Sequence, residues 1–448
     1  EDMKKSIARQ RTSSSTNSLM SPLSKKSTMS PVVKKSAPRS KMLKVDGTVE
    51  KEDNARANDE ENEMYNVIGK QLIAKEYYHG FMPREDCEAV MKNIGDFILR
   101  RSSVNGRSAF ILSVRVDNGK DQVNMHIRID FKGGVWSIGK IENIRKASLT
   151  ALITYYLTYS SHYCVAKGPL LKKGLPRPDY FLFHDNIEVG KELGKGAFGA
   201  VHAGILKKNG GEPIEVAIKK MKSDQLAKKN VIEFFKECRL MLRFNHPNIV
   251  KVYGIAPGDT PVLIVLELAS GGSLKSYFKK NDGTEDIMVK FAKDACKGMH
   301  YLQTVKIIHR DLAARNCLLG SKNEVKISDF GLSHAGKELE LTKLSNVPVR
   351  WLSPETLTKG RFSHKSDVWS YGVLLWEIFA KCASDPFPGK TNKEAKELIL
   401  NKSHQPLDPL PSMTQLIKDV MKMALTFEEE ERPDFTGIMH KLLPDVKV

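Results

Sequence analysis

No apolar run in this 448-residue chain approaches the ~18 residues needed to cross a bilayer; the longest, Pro261 to Leu266, reads as a buried strand. Cysteine is scarce. Cys87, Cys164, Cys238, Cys296, Cys317 and Cys382 form no CxxC pair, which argues against a zinc site or a disulfide framework and for reduced thiols in the cytosol. The chain opens on Glu1 with no signal-peptide or myristoylation pattern to read. Residues 1–45 lack any aromatic side chain, yet carry 11 Lys or Arg against 2 acidic residues and so supply half of the net charge of +18. Without rings to stack on bases, this tail does not read as a nucleic-acid binder. It reads as a solvated tail with weak attraction to an anionic membrane surface.

What is present is enough apolar sequence, 41%, for two or three domains with real cores. The basic stretch gives way to an acidic one (Asp46, Glu50, Glu52, Asp53, Asp59, Glu60, Glu61, Glu63), and residues 1–70 together are expected to be an unstructured basic-then-acidic tail. Folded sequence is expected from residue 76. A helical stretch, Arg84 to Asn93, precedes strand-like runs at Phe97–Arg100, Ala109–Val116, Val123–Ile129 and Val135–Ile138, and a second helix, Ser148 to Leu157, closes the set. This order predicts a small α+β domain over 76–166. Glycines and prolines mark 167–186 as a linker. A larger domain over 187–443 is strand-rich at first and helical after Gly271-Gly272.

The segment Tyr77-Tyr78-His79-Gly80, followed by Gly95-Asp96-Phe97-Ile98-Leu99-Arg100, resembles the SH2 family. The resemblance implies that Arg100 forms a bidentate pair with phosphotyrosine, a task for a planar fork that stays charged when partly buried. It implies further that Arg84 supports the phosphate, and that Ser102 and Ser103 cradle its oxygens. His126 stands at the site of a family lysine and Asn124 at that of the usual histidine; Arg101 replaces a glutamate and Tyr77 a tryptophan. Phosphotyrosine proteins are the expected partners.

In the larger domain, Gly194-Lys195-Gly196-Ala197-Phe198-Gly199-Ala200-Val201 is a GxGxxGxV loop, and Val216-Ala217-Ile218-Lys219 follows at a distance suited to two hairpin strands. Glycines let backbone approach phosphates, and Lys219 offers them positive charge. That lysine needs an anion, for which Glu237 on the helical stretch Asn230–Phe244 is placed. His309-Arg310-Asp311-Leu312-Ala313-Ala314-Arg315-Asn316 and, thirteen residues beyond, Asp329-Phe330-Gly331 complete a resemblance to the protein tyrosine kinases. It implies Asp311 as base for the substrate hydroxyl, at an ordinary carboxylate pKa, with Arg315 beside it in the tyrosine-specific Ala-Ala-Arg. It implies Asn316 and Asp329 as Mg²⁺ ligands, and ATP held by Leu193, Gly194, Gly196, Gly199, Val201, Ala217, Lys219, the gatekeeper Leu266, hinge residues Glu267 and Ala269, and Leu318. Pro348-Val349-Arg350-Trp351 resembles the tyrosine-kinase substrate platform. Glu355 is expected to pair with Arg432, and Asp367 to brace the catalytic loop.

Small domain then kinase, joined by Leu182-Phe183-His184-Asp185-Asn186-Ile187, looks like the Fes/Fer family, in a compact nematode-type form. The activity implied is transfer of the ATP γ-phosphate to tyrosine of proteins, in the cytoplasm with peripheral contact at the plasma membrane. One departure stands out: Asp329 to Glu355 contains no tyrosine. Glu338 and Glu340 are expected to substitute in part for a phosphorylated one, with Thr342 and Ser345 as the alternative point of control. The rival reading, a pseudokinase scaffold, would require loss of Lys219, Asp311 or Asp329, and all three are present.

Overall fold

In the computed structural model, described residues run from 47 to 446 except 105–106, 139–143, 160–170, 197–198, 208–209, 222–227 and 345–346. Residues 54–448 form one compact unit. Cys164 and the basic tail lie outside the described residues, as do Ala197, Phe198 and Ser345.

Helix α1, Gly47–Leu72, overturns the expectation of an unstructured segment up to residue 70. Its composition is acidic, but Met64, Tyr65, Ile68 and Leu72 recur at helical spacing and form an apolar stripe. Tyr65 and Leu72 are buried. The Tyr65 ring sits 5.2 Å from Phe110 and 6.1 Å from Trp136, so the small domain's core begins eleven residues before residue 76.

That domain continues with α2 (Arg84–Val90), β1 (Asp96–Val104), β2 (Arg107–Asp117), β3 (Gln122–Lys132), β4 (Val135–Ile138), α3 (Leu149–Tyr159) and β5 (Lys173–Gly174). The strands form one sheet in the order β4-β3-β2-β1-β5, antiparallel except that β5 runs parallel to β1. Strands β1 to β3 outrun their expected lengths because polar ends such as Arg101–Ser103 keep the hydrogen-bond ladder going beyond the apolar positions.

The expected linker is structured as well. Leu171 is buried in the small domain's core, and Lys173–Gly174 adds a sheet edge. Further on, Ile255 N–H donates to Tyr180 O (2.9 Å) and Leu182 N–H to Ile255 O (2.8 Å). Apolar side chains and unpaired backbone drive this stretch onto the two domains rather than into water.

The larger domain opens with the sheet β6 (Ile187–Gly196), β7 (Gly199–Leu206), β8 (Ile214–Met221), β9 (Val252–Ala256) and β10 (Leu263–Glu267), ordered β6-β7-β8-β10-β9, with helix α4 (Lys228–Met241) between β8 and β9. The helical lobe follows: β11 (Gly272–Ser273), α5 (Leu274–Tyr277), α6 (Glu285–Thr304), β12 (Ile307–Ile308), β13 (Cys317–Leu319), β14 (Val325–Ile327), β15 (His334–Ala335), β16 (Glu338–Glu340), α7 (Pro354–Lys359), β17 (Arg361–Ser363), α8 (His364–Phe379), α9 (Asn392–Ile399), α10 (Gln415–Ala424) and α11 (Phe435–Leu442). Helix α8 is buried along nearly its whole length and forms the lobe's axis.

The two domains share one apolar cluster, in which Phe81, Met82 and Cys87 join Phe234, Phe235 and Cys238 of α4. Asp86 of α2 accepts from Arg239 of α4. Phe81 N–H donates to Pro257 O (2.9 Å). Gly80 makes that approach possible: it sits at φ +55°, and a Cβ there would lie 2.0 Å from Pro257 O. No described helix is long and apolar enough to cross a membrane.

Candidate active site and phosphate pocket

Strand β8 and helix α4 bring Lys219 and Glu237 together across the small lobe. Lys219 Nζ donates to both Glu237 carboxylate oxygens, at 2.7 and 2.8 Å, with both side chains buried. Burial pushes the Glu237 carboxyl above its usual range, and Lys219 opposes that shift. Lys219 Nζ also lies 3.9 Å from Asp329 Oδ1. A lysine held this way presents a fixed charge to the space beneath the glycine loop. In that loop Gly199 pairs with Gly196 and with Met221. A Cβ at Gly199 would meet Lys220 O at 1.8 Å, whereas Gly194 faces open space. The third glycine is therefore needed for strand approach and the first for room.

Of the other residues expected at the nucleotide, Ala217 is buried, Val201, Leu266 and Leu318 are half-buried, and Leu193 is 49% exposed. Val201 is opposite Lys219, and Ala217 opposite Leu266, in the sheet. The Glu267 carboxylate is occupied by Lys326 (3.0 Å) and by Lys251 N–H (3.2 Å), and Glu267 N–H donates to Lys251 O (2.8 Å). Ala269 O accepts from Gly272 N–H (3.2 Å).

The loop that carries Asp311 is positioned from α8. Asp367, buried, accepts from His309 N–H (2.7 Å) and Arg310 N–H (2.9 Å), which holds Arg310 at φ +71°. The Asp311 carboxylate accepts from Arg315 and, at 2.7 Å, from Asn316 Nδ2. Its pKa is raised by burial and pulled back by Arg315, so the expected ordinary value is corrected upward: the loop's burial makes Asp311 a stronger base than a solvated aspartate. With Nδ2 donating to Asp311, Asn316 has its Oδ1 left for a cation. The half-exposed Asp329 carboxylate at φ +62° is a second hard oxygen donor. A sparse oxygen set of this kind fits Mg²⁺, which keeps water and phosphate ligands of its own. Phe330 is buried, 4.9 Å from Phe244 and 5.1 Å from His309, which turns Asp329 outward toward Lys219.

Glu377 was not anticipated from the sequence. Its Oε2 accepts from Ala314 N–H and from Trp351 Nε1–H, both at 2.9 Å, tying the catalytic loop to the segment beyond Pro348. Arg315 stacks 4.5 Å over the same Trp351 ring. The available signal was one acid inside the apolar run Val373–Phe379, which cannot stay buried without partners. Burial pushes the Glu377 carboxyl up to about 7. Since that lies above its unfolded value, the carboxyl's contribution to stability is complete below about pH 4.5 and is lost as pH rises through about 7. A Glu377→Gln variant keeps an acceptor and cannot ionise. Its melting temperature relative to the parent should therefore climb between pH 5 and pH 8; a pH-independent difference would contradict the assignment.

In the small domain, Arg100 is buried on β1 and its Nε donates to Ser113 Oγ at 3.0 Å. His126 Nδ1 lies 2.8 Å from the same hydroxyl. Arg84 and His126 meet at Glu88 of α2, where Oε1 is 2.7 Å from Arg84 Nε and 3.0 Å from His126 Nε2. Ser102 and Ser103 line a cavity with Arg84 and Arg100, closed on one side by Lys228 and Val231 of α4. Asn124 is turned instead to Arg115 (3.3 Å). Arg101 points to the other face, where it donates to Ser108 Oγ (2.9 Å) and stacks on Phe81.

Comparison with known proteins agrees with this geometry. Residues 187–442 match the protein tyrosine and serine/threonine kinase family, and residues 77–156 match the SH2 domain. The chain is 36% identical over 355 residues to Fer-related kinase 1 of Caenorhabditis elegans, covering 79% of this chain and 87% of that protein. It is 34% identical over 387 residues to tyrosine-protein kinase Fer of Homo sapiens, covering 85% of this chain but 45% of Fer. Spermatocyte protein spe-8 of Caenorhabditis elegans is 34% identical over 365 residues, 80% of this chain and 69% of that protein.

Proposed function

The chain belongs to the Fer/Fes-related protein tyrosine kinases, with an SH2 domain ahead of the kinase domain, and from that premise we propose how its residues divide the work. Lys219, fixed by Glu237, holds the α- and β-phosphates of ATP. The glycine loop covers them, and Val201, Ala217, Leu266 and Leu318 enclose the purine beside the backbone of Glu267 and Ala269. Asn316 and Asp329 are the residues that would supply oxygen ligands to Mg²⁺, and the ion when bound would supply positive charge against the phosphate oxygens. Asp311 orients the tyrosine hydroxyl and takes its proton. Arg315, shared between Asp311 and Trp351, fixes the catalytic carboxylate against the substrate platform. Arg100, assisted by Arg84, Ser102, Ser103 and His126, captures phosphotyrosine on partner proteins. This places the kinase beside substrates already carrying the mark, in the cytoplasm and, through the basic tail, at the anionic face of the plasma membrane.

The observation that carries this reading is the closed Lys219–Glu237 pair with Asp329 3.9 Å away. The phosphate-binding charges are already assembled, so no rearrangement of α4 is needed before ATP is used. The test is transfer of labelled phosphate from Mg·ATP to a Glu/Tyr copolymer by the full chain, with Asp311→Asn beside it. Transfer to tyrosine that the substitution removes supports the proposal; ATP binding without transfer by the folded parent favours a scaffold.

Control of the tyrosine-free segment follows the same logic. Strand β16 pairs with β17, and Glu338 Oε1 accepts from Arg361 Nη2 at 2.9 Å, while Arg361 Nη1 lies 3.2 Å from Glu429. Glu338 thus occupies an arginine of the kind a phosphate would engage. Exposed pairs are each worth about 0.2–1 kcal/mol, so replacing Glu338 and Glu340 by Ala should slow peptide phosphorylation about two- to five-fold. An undiminished rate would remove these acids from the account and leave Thr342 and Ser345 as the alternative point of control.

A further inference from the structure

Two of the side chains proposed to assist phosphate binding, Arg84 and His126, are already partnered by an acid of the same domain. Glu88 lies one helical turn after Arg84 on α2, and its Oε1 receives both Arg84 Nε (2.7 Å) and His126 Nε2 (3.0 Å). Because a carboxylate only accepts, the proton of His126 belongs on Nε2, and Nδ1 then accepts from Ser113 O–H, whose oxygen in turn receives Arg100 Nε. One continuous chain of hydrogen bonds therefore runs from Arg100 through Ser113 and His126 to Glu88 and Arg84, ending on a negative charge. The His126 side chain is 9% exposed and that of Glu88 35%, so these contacts are only partly screened by water.

We propose that Glu88 is a resident counter-ion of the phosphotyrosine pocket, which an incoming phosphate must displace and which holds the pocket's affinity down. This rests on the reading of Arg100 and its neighbours as a phosphotyrosine site. A phosphate dianion competes with the Glu88 carboxylate for Arg84 and His126 and is repelled by it at close range. A weakened pocket of this kind selects ligands whose flanking residues add binding of their own, and it releases them quickly.

The variant Glu88→Gln is nearly isosteric and keeps the acceptor oxygen for Arg84 and His126 while removing the charge. The experiment measures fluorescence anisotropy of the full chain with a pool of fluorescein-labelled octapeptides carrying a central phosphotyrosine and randomised flanks, beside the unphosphorylated pool. The parent, Glu88→Gln and Arg100→Ala proteins are compared at low and high salt. Glu88→Gln should bind the phosphorylated pool about 3- to 10-fold more tightly, with the gain shrinking as salt rises and absent on the unphosphorylated pool. Equal or weaker binding by Glu88→Gln, with parent binding still dependent on phosphate and on Arg100, overturns the counter-ion role and leaves the phosphotyrosine site standing. An equal gain on both pools also overturns it, as a general charge effect. Loss of phosphate dependence in the parent and Glu88→Gln alike overturns both.

Discussion

Asp311→Asn should lower the turnover of phosphate transfer by roughly 10²- to 10⁴-fold, the range of general-base contributions, with little change in the ATP concentration needed for half-saturation. The carboxylate sits where three effects converge. Burial raises its proton affinity, Arg315 and Asn316 Nδ2 fix its orientation, and Asp367 holds the loop that carries it. An amide in its place still accepts a hydrogen bond but cannot take a proton from a tyrosine hydroxyl. None of the residues proposed to enclose the purine is touched by the change, so nucleotide binding should survive. Steady-state rates with varied ATP and varied peptide separate the two effects. A variant that keeps its rate within about tenfold of the parent would strip Asp311 of the base role.

Arg432→Ala is expected to destabilise the helical lobe by about 3–5 kcal/mol, the cost of breaking a buried ion pair from one side. Arg432 is fully buried, and every one of its N–H groups is used. Nη1 donates to Glu355 Oε1 (2.8 Å) and Lys365 O (2.8 Å), Nη2 to Glu355 Oε2 (3.2 Å) and Phe427 O (3.1 Å), and Nε to Thr426 O (2.9 Å). Its guanidinium also lies over Trp369 of α8. Truncation would strand a buried carboxylate at Glu355 and three carbonyls together. Lysine cannot reproduce the fork and should restore little. Removing Glu355 as well should recover part of the loss, because the uncompensated charge goes with it. Chemical denaturation followed by tryptophan fluorescence reports this directly, since three of the four tryptophans (Trp351, Trp369, Trp376) lie in that lobe. A loss below about 1 kcal/mol would show that the pair is dispensable.

Much of the active centre was legible because its chemistry is packed into short contiguous segments. His309–Asn316, Asp329–Gly331 and Val216–Lys219 each hold their polar groups a few residues apart, so a short motif match was enough to carry the kinase resemblance that assigns them roles. The pairing of Lys219 with Glu237 needed only one further step, a helix placed after the third strand of the sheet. The ends of elements were less legible, because polar residues such as Arg101 to Ser103 continue a ladder that hydrophobic pattern does not mark. Helix α1 was missed for a related reason: eight acidic residues between 46 and 63 outweigh, in composition, a stripe of only four apolar side chains.

The residues that escaped are those whose meaning depends on a partner far along the chain. Glu377 is an acid in an apolar helix until Ala314 and Trp351, 63 and 26 residues away, are brought to it. Glu88 reads as a solvated helix position until β3 lays His126 against it, 38 residues later. Asp86 and Arg239, 153 residues apart, become a bridge between domains only once Gly80 lets the backbone of the small domain reach Pro257. By itself, then, the sequence determined the family and the fold class and marked the residues proposed to react, because local backbone geometry and side-chain chemistry act over a few residues. Tertiary structure alone decided which charges neutralise one another, which acids are buried and how the two domains share a core, because these are properties of distances that chain order does not contain.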